Sequence, residues 1–306
     1  MIPVIIGVSF LVFFIMDLAP GDAVDILAPE GATAEDLEAI RHDLGLDQPV
    51  IVRYVKYMGG MLHGDMGVSY VSKTDIFDTY MEKLPATIKL SFASILVSIL
   101  LSVPLGIYSA TRQGTVQDNI SMIVAMIGLS MPNFWLGLLL IIVFSLNLGW
   151  FPSGGDQTLS SIVLPAITIG TGLMATLTRT TRSSMLDVLK QEYLRTARAK
   201  GIPEKIVITS HALRNALIPI ITIIGTQLAG VLGGSVLTET VFAWPGVGRL
   251  IVDSLNMRDT PLVTGSIIMT TILLSIILLL VDLLYAVVDP RIKAQYVAKR
   301  GKKKHG

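Results

Sequence analysis

Long apolar stretches separated by shorter polar ones run along the whole chain. A bilayer core of about 30 Å needs about 20 residues of helix, and helices satisfy their own backbone polar groups there. We therefore predict an all-α integral membrane protein of about six transmembrane helices. The six stretches are Ile2–Leu18, Thr87–Ala110, Ile120–Leu146, Ile162–Thr178, Leu217–Val241 and Val263–Val288.

This pattern divides the chain into four parts. Residues 1–18 form the first transmembrane helix, which we interpret as retained because it lacks the basic start and small-residue cleavage site of a signal peptide. Residues 19–86 form an extracytoplasmic helical cap. Residues 87–288 form the transmembrane core of five helices, which includes the polar loop 179–216. Residues 289–306 form a basic cytoplasmic tail.

The cap carries helix signals of its own. Thr33 can cap a helix over Ala34–Leu44, with Gly45 at its stop. Pro49 suits the first turn of a second helix. A packed loop without a function would show the same signals, so both interpretations stay open.

Composition excludes several classes of protein. The chain is 52% hydrophobic and 15% charged with a mean hydropathy of +0.66, whereas soluble domains carry about 25% charged residues. The absence of cysteine excludes disulfides and thiolate sites, and the four histidines share no metal-ligand spacing. We predict no metal site, no cofactor and no nucleic-acid partner for this chain.

The basic residues predict an orientation. Lys and Arg concentrate on the cytoplasmic side of membrane proteins, and segments 111–119, 179–216 and 289–306 hold 16 of the 24 basic residues. We predict a multi-pass protein of a bacterial or archaeal plasma (inner) membrane with both termini in the cytoplasm.

The loop 179–216 has the composition of ordered helix. Strong helix formers predict a helix over Met185–Lys200, with Gly201 at its stop and Pro203 just after it. The alanines of Ala197–Ala199 make this helix narrow enough for a groove of another protein to close around it. Alternatively, the basic residues of the loop serve only to orient the chain.

Two runs of residues decide between these readings. The loop contains RTARAKG at Arg195–Gly201 and HALRNALIP at His211–Pro219. It resembles the EAA loop of ABC importer permeases in the form typical of the dipeptide/oligopeptide (peptide/nickel) class. Further segments similar to that family are Leu18–Asp22, Leu44–Pro49, Leu84–Thr87, Pro132–Gly137, Leu148–Pro152, Glu239–Leu250, Val281–Tyr285 and Asp289–Arg291.

The resemblance implies a type I ABC importer permease fold and a set of partners. These are a second homologous permease, two cytoplasmic ABC ATPases that bind ATP and Mg, and an extracytoplasmic substrate-binding protein. The chain has no GxxxxGK[ST] nucleotide-binding motif, in agreement with a permease that is not itself an enzyme. The implied ATPase-coupling residues are Glu192, Tyr193, Arg195, Thr196, Ala197, Arg198, Ala199, Lys200 and Gly201.

Residues within the spans suggest a polar path or close helix packing. Ser91, Ser94, Ser98 and Ser102 form one helical stripe, which either faces an aqueous path or bonds back to its own helix. Gly230 and Gly234 favour close approach of a second helix, from the partner permease or from this chain. Asp282 is an acid within a span, where it has a functional role or pairs with a cation such as Arg291.

The outer segment Trp244-Pro245-Gly246 is a candidate face for the binding protein, although a tryptophan there also suits a membrane anchor. Two other functions compete. A secondary transporter would be expected to carry mid-span charges and inverted repeats, which we do not detect, and a scaffold or channel leaves the loop unexplained. Peptide is our predicted substrate. Nickel, glutathione and opines remain alternatives.

Overall fold

A computed structural model of the chain describes residues 2–18, 24, 27–29 and 31–288. Within that part of the chain the structure is helical and has no β-strand, apart from an isolated antiparallel bridge between Val68 and Asp75. The predicted basic tail 289–306 lies outside the described residues.

The described residues of the amino-terminal half form six α-helices. A π-helical turn, Ile141–Asn147, continues the sixth of them. The helices are α1 Ile2–Leu18, α2 Ala34–Asp43, α3 Val50–Leu62, α4 Ile76–Thr111, α5 Val116–Ser130 and α6 Asn133–Leu140.

Up to residue 288, the carboxyl-terminal half adds seven α-helices. A 3₁₀ turn, Leu159–Ile162, precedes α7, and a π-helical turn, Val207–Ala212, links α9 to α10. The helices are α7 Val163–Leu189, α8 Glu192–Ala199, α9 Glu204–Ile206, α10 Leu213–Gly234, α11 Val236–Val241, α12 Val247–Asn256 and α13 Thr260–Val288.

The number of spans differs from the simple prediction of about six. Four helical segments of the described chain are long and apolar enough to cross a membrane, and the pair formed by α5 and α6 adds a fifth if it is one span. That pair bends by 96° because Met131 is extended and Pro132 lacks the N–H that would continue the helix. Helix α1 is apolar but shorter than the others.

The predicted fifth span, Leu217–Val241, is also interrupted. Helix α10 ends at Gly234, and a separate short helix begins at Val236. The apolar pattern continues through this break, so periodicity alone did not show it.

The chain forms two compact units. The first unit comprises Met1–Lys89 and Gly233–Ser275, and the second comprises Leu90–Leu232 and Ile276–Gly306. Each unit is described by itself below.

In the first unit, α1 packs against α3 through aromatic rings. Tyr54 meets Phe10 and Phe13 edge-on with centroids 5.5 and 5.7 Å apart. An ion pair of 2.6 Å between Arg53 and Asp17 holds the ends of the two helices together. A second cluster forms around Tyr80, Val247 and Met269.

The helices predicted in the cap are present in this unit. Thr33 and Asp36 form a reciprocal capping box at the start of α2, and their hydrogen bonds lower the pKa of Asp36. Gly45 has the positive φ of 66° that ends the helix, and Pro49 is the residue before α3.

In the second unit, α7 packs against the adjacent part of α4 at two glycines. A Cβ atom on Gly170 would lie 2.9 Å from the backbone oxygen of Ser94, and one on Gly106 would lie 2.6 Å from Thr181. Only glycine permits such close approach of two helices. The core of the unit continues from these helices into the loop 179–216 through buried Leu177, Met185, Leu194, Ala197, Val207 and Ala212.

Candidate functional site

The loop 179–216 is an ordered helical structure that belongs to the second unit. Helix α7 ends at Leu189, and α8 runs from Glu192 to Ala199. Gly201 then turns the chain with φ 74°, a conformation that costs other residues about 1–2 kcal/mol. Pro203 precedes α9, as the predicted stop at Gly201–Pro203 requires.

The single helix predicted over Met185–Lys200 is wrong. The chain breaks at Lys190, and Gln191 is extended with φ −76° and ψ 140°. This break lets α8 change direction, so that Leu194 and Ala197 lie in the same core as Met185. Burial of these side chains outweighs the helix propensity of the sequence.

Ala197 therefore does not serve the role first predicted for it. Its side chain is only 8% exposed and packs into the unit's own core, so it is not the surface around which another protein's groove would close. The remaining predicted coupling residues are exposed. They are Glu192, Tyr193, Arg195, Thr196, Arg198, Ala199, Lys200 and Gly201.

Ion pairs and hydrogen bonds hold the exposed face of α8 in place. Arg198 donates two hydrogen bonds, of 3.0 and 2.9 Å, to the carboxylate of Glu204, and this partner raises the pKa of the arginine. Asn215 donates to the Tyr193 hydroxyl over 2.9 Å. Helix α8 is thus tied to α9 and α10, and it would move together with the packed helices.

The serine stripe of α4 is buried. Ser91, Ser94, Ser98 and Ser102 have no exposed surface. Ser94 donates to its own helix at Leu90, and Ser102 donates 3.3 Å to the Met174 carbonyl of α7. Within the described residues the hydroxyls of Ser98 and Thr178 have no hydrogen-bond partner. This placement favours packing, and a translocation path along the stripe stays a prediction.

The other candidates in the spans differ in their surroundings. Gly230 is exposed, and a Cβ atom there would meet no described residue within 4 Å, so it makes no close packing within the described part of the chain. The surroundings of Gly234 lie outside the described part. Asp282 is exposed and forms no ion pair within the described chain, and its predicted partner Arg291 lies beyond residue 288.

The predicted outer face at Trp244-Pro245-Gly246 is mostly buried in the first unit. Trp244 is 1% exposed, and its indole N–H donates 2.9 Å to the Ala86 carbonyl. Gly246 is buried beside Glu239 and Thr87. Trp244 is consequently not a membrane anchor at the surface, because its apolar ring fills the unit and its one donor is satisfied within it.

Sequence reasoning missed an ion pair in the second unit. Arg182 on α7 donates two hydrogen bonds, of 2.8 and 2.7 Å, to the carboxylate of Asp118 at the start of α5. Ser109 and the Gly114 N–H also donate to this carboxylate. The only signal in the sequence is that Asp118 follows the helix cap Thr115 by three residues.

The sequence also did not predict a buried carboxylate in the first unit. Glu239 is 0% exposed, and its Oε1 accepts hydrogen bonds from Thr87 over 2.9 Å and Ser235 over 2.8 Å. Its Oε2 accepts from the Arg249 N–H over 3.0 Å. Thr87 in turn accepts from the Val247 N–H. Two segments quoted for the family resemblance, Leu84–Thr87 and Glu239–Leu250, meet in this cluster.

Asp259 is a second buried carboxylate of the same unit. It accepts hydrogen bonds from the Ser69 hydroxyl and from the backbone N–H groups of Tyr70 and Val71. It also accepts from the Leu262 N–H at the first turn of α13. The carboxylate thereby fixes the turn at residues 69–72 to the start of that helix.

Comparisons with protein families identify the chain. Residues 102–294 match the family described as "Binding-protein-dependent transport system inner membrane component", and residues 1–91 match its N-terminal domain. The chain belongs to this family. It is therefore a permease component of a binding-protein-dependent ABC importer and a multi-pass membrane protein, as the loop residues predicted.

Curated relatives match it over nearly their whole length. The oligopeptide transport system permease AppB of Bacillus subtilis (strain 168) is 43% identical over 303 residues, which cover 95% of this chain and 96% of AppB. The glutathione transport system permease GsiC of Escherichia coli (strain K12) is 40% identical over 293 residues, which cover 96% of each chain.

Solved structures confirm the fold. An inward-facing form of the MetNI methionine ABC transporter has a TM-score of 0.58 at 19% identity and covers 70% of this chain and 97% of its own. An amino acid ABC transporter with histidines has a TM-score of 0.53 at 13% identity and covers 69% and 94%. The type I importer permease fold is thereby confirmed.

Proposed function

We propose that this permease forms, with a second homologous permease, the translocation path for peptides delivered by an extracytoplasmic binding protein. Helix α8 would dock on one of two cytoplasmic ATPases, which bind ATP and Mg and carry out the hydrolysis. The observation that carries the proposal is the construction of α8. Its exposed face is available to a partner, while Leu194 and Ala197 anchor it in the core of the second unit.

This construction suits the transmission of force. A helix that is buried on one side and tied by Arg198 to Glu204 transfers a displacement to its neighbours, because packed interiors are close to incompressible. ATP drives such a change only if the ATPases bind one state of the permease better than the other.

Peptide is the substrate class that the relatives favour. AppB is named for oligopeptide transport and GsiC for glutathione transport, and glutathione is itself a small peptide. The two relatives are almost equally similar to this chain, and the names of both refer to solutes with peptide linkages. Nickel and opines remain weaker alternatives.

The predicted orientation and the second permease complete the proposal. The eight basic residues of 179–216 support a cytoplasmic location for α8 and both termini. Exposed Gly230 supports a close helix contact with the partner permease, since no residue in the described part of its own chain occupies the space beside it.

A substitution at Gly201 tests the coupling role of the loop. Gly201→Ala adds a methyl group into open space but strains a φ of 74°, so the turn after α8 should shift while the cores stay intact. We expect the assembled transporter in proteoliposomes to hydrolyse ATP and to import less peptide per ATP than wild type.

Gly155→Ala is the matched control, because Gly155 has a φ of 80° and also faces open space but lies outside the loop. It should keep the wild-type ratio of peptide to ATP. Normal coupling in Gly201→Ala, or an equal loss in both variants, would contradict a coupling role for this turn.

A further inference from the structure

A cavity of about 380 Å³ lies within the first unit, apart from the loop and the buried carboxylates. Helices α1, α2, α3 and α13 all contribute to its walls. The side chains that bear on its chemistry are Asp43, Arg53, Lys56, Tyr57, Tyr70 and Thr264.

The cavity lies near the ends of two apolar helices, α1 and α13. Phe13, which lines it, is five residues from the end of apolar helix α1. Thr264 is four residues from the start of α13, which is long and apolar enough to span. At a rise of 1.5 Å per residue, both lie within about 8 Å of a helix end.

Helix α3 has the character of an interfacial helix. It carries Arg53 and Lys56 on the cavity wall, whereas Ile51, Val55 and Leu62 are 63%, 62% and 82% exposed. A helix with cations on one side and exposed apolar side chains on the other suits the boundary between headgroups and acyl chains.

Two opposite charges of the wall are not neutralised. Lys56 donates 2.8 Å to the neutral Gln48 side chain and forms no ion pair within the described residues. Asp43 likewise has no cationic partner in that part of the chain. Arg53 is already paired with Asp17. Among the described residues, the cavity wall thus offers one free cation and one free anion, which a zwitterion complements.

Hydroxyl groups add further capacity for hydrogen bonds. The oxygens of Tyr57 and Thr264 are buried and lack a partner within the described structure, although both residues line the cavity. Buried hydroxyls without partners are costly. A polar ligand that settles in this cavity would relieve that cost.

We propose that this cavity binds the headgroup of an ethanolamine phospholipid. The phosphate would lie against Lys56 and Arg53, and the ammonium group would lie against Asp43. The apolar side of α3 would contact the acyl chains. This site is independent of the transported solute, so the proposal holds whether or not peptide is the substrate.

Native mass spectrometry of the purified transporter, with phosphatidylethanolamine and phosphatidylglycerol added separately, tests the proposal. We expect wild type to retain phosphatidylethanolamine preferentially. Lys56→Gln should weaken retention of both lipids about tenfold, as loss of one charge-assisted contact implies. Asp43→Asn should abolish the preference for ethanolamine, because only the ammonium group contacts Asp43.

Lys83→Gln and Glu38→Gln are the matched controls, since both residues are charged and lie outside the cavity wall. They should retain lipid as wild type does. Equal retention of the two lipids by wild type, or unchanged retention in the cavity variants, would overturn the proposal. Displacement of the lipid by dialanine but not by O-phosphoethanolamine would overturn it too, because the cavity would then bind a soluble peptide zwitterion and not the phospholipid headgroup.

Discussion

Buried carboxylates are stabilised differently in the two units of this permease. In the first unit, Glu239 and Asp259 are held by hydroxyl and backbone N–H donors and form no ion pair with any residue that the structure describes. In the second unit, Asp118 is held by the guanidinium of Arg182 as well as by neutral donors. Both arrangements satisfy the carboxylate oxygens. Removal of one partner leaves an unpaired charge in the second unit, but only one missing neutral hydrogen bond in the first.

The difference teaches where each unit is vulnerable. Removing the cation from a charge pair leaves an uncompensated buried charge, which is more costly than the loss of one neutral hydrogen bond. The stability of the second unit should therefore depend strongly on one pair of residues. In the first unit, each removed hydrogen bond should lower the stability by a smaller amount. Helix α7, which carries Arg182, leads directly to α8. Loss of the ion pair should therefore also affect the loop 179–216.

Arg182→Met should have the largest effect. Asp118 has a side chain only 5% exposed, so loss of its cation should cost about 2–3 kcal/mol, somewhat less than for a fully buried pair because Arg182 is 26% exposed. The thermal unfolding midpoint of the purified protein in detergent measures this loss.

The double variant Asp118→Asn/Arg182→Met is the control. It removes both charges and should recover most of the stability lost in Arg182→Met. If the double variant is as unstable as the single one, the loss comes from packing of the arginine stem and not from its charge.

Glu239→Ala should have the next largest effect. It removes one acceptor from the Thr87 and Ser235 hydroxyls and from the Arg249 N–H, at a cost of about 2 kcal/mol. Glu239→Gln keeps one oxygen acceptor and should cost about 1 kcal/mol. A glutamine variant as unstable as the alanine variant would show that the charge itself is needed, and it would remove the contrast between the units.

Ser69→Ala should have the smallest effect of the three. Asp259 keeps the N–H groups of Tyr70, Val71 and Leu262, so the loss of one hydroxyl donor should cost about 1 kcal/mol. Ser72→Ala is the comparison, because the Ser72 hydroxyl bonds only within its exposed turn, to Thr74. Equal stability of the two variants would mean that Asp259 does not rely on Ser69.

Features with a local cause were predictable from the sequence. The Thr33 cap, the stop at Gly45 and the turn at Gly201 depend on residues within a few positions of one another, and the structure has all three. The apolar stretches likewise predicted membrane helices from length and composition. The family resemblance added the importer function, which the comparisons confirm.

Features with a distant cause were not predictable. The break at Gln191 follows from burial of Leu194 and Ala197 among residues of other helices. Trp244 is buried, and its N–H finds an acceptor in Ala86, 158 positions earlier. Thr87 and Glu239 are 152 positions apart. Local patterns carry no information on such pairs, and for this reason they did not predict the burial of Trp244 in the candidate outer face.

Mild detergent extraction of the tagged chain, with mass spectrometry of the proteins that remain bound, tests the central claim most directly. The proposed importer predicts a second permease and ATPases with intact nucleotide-binding motifs, and transport by this complex should require its binding protein. Recovery of the chain alone or as a homo-oligomer, under conditions that preserve other membrane complexes, would contradict the account.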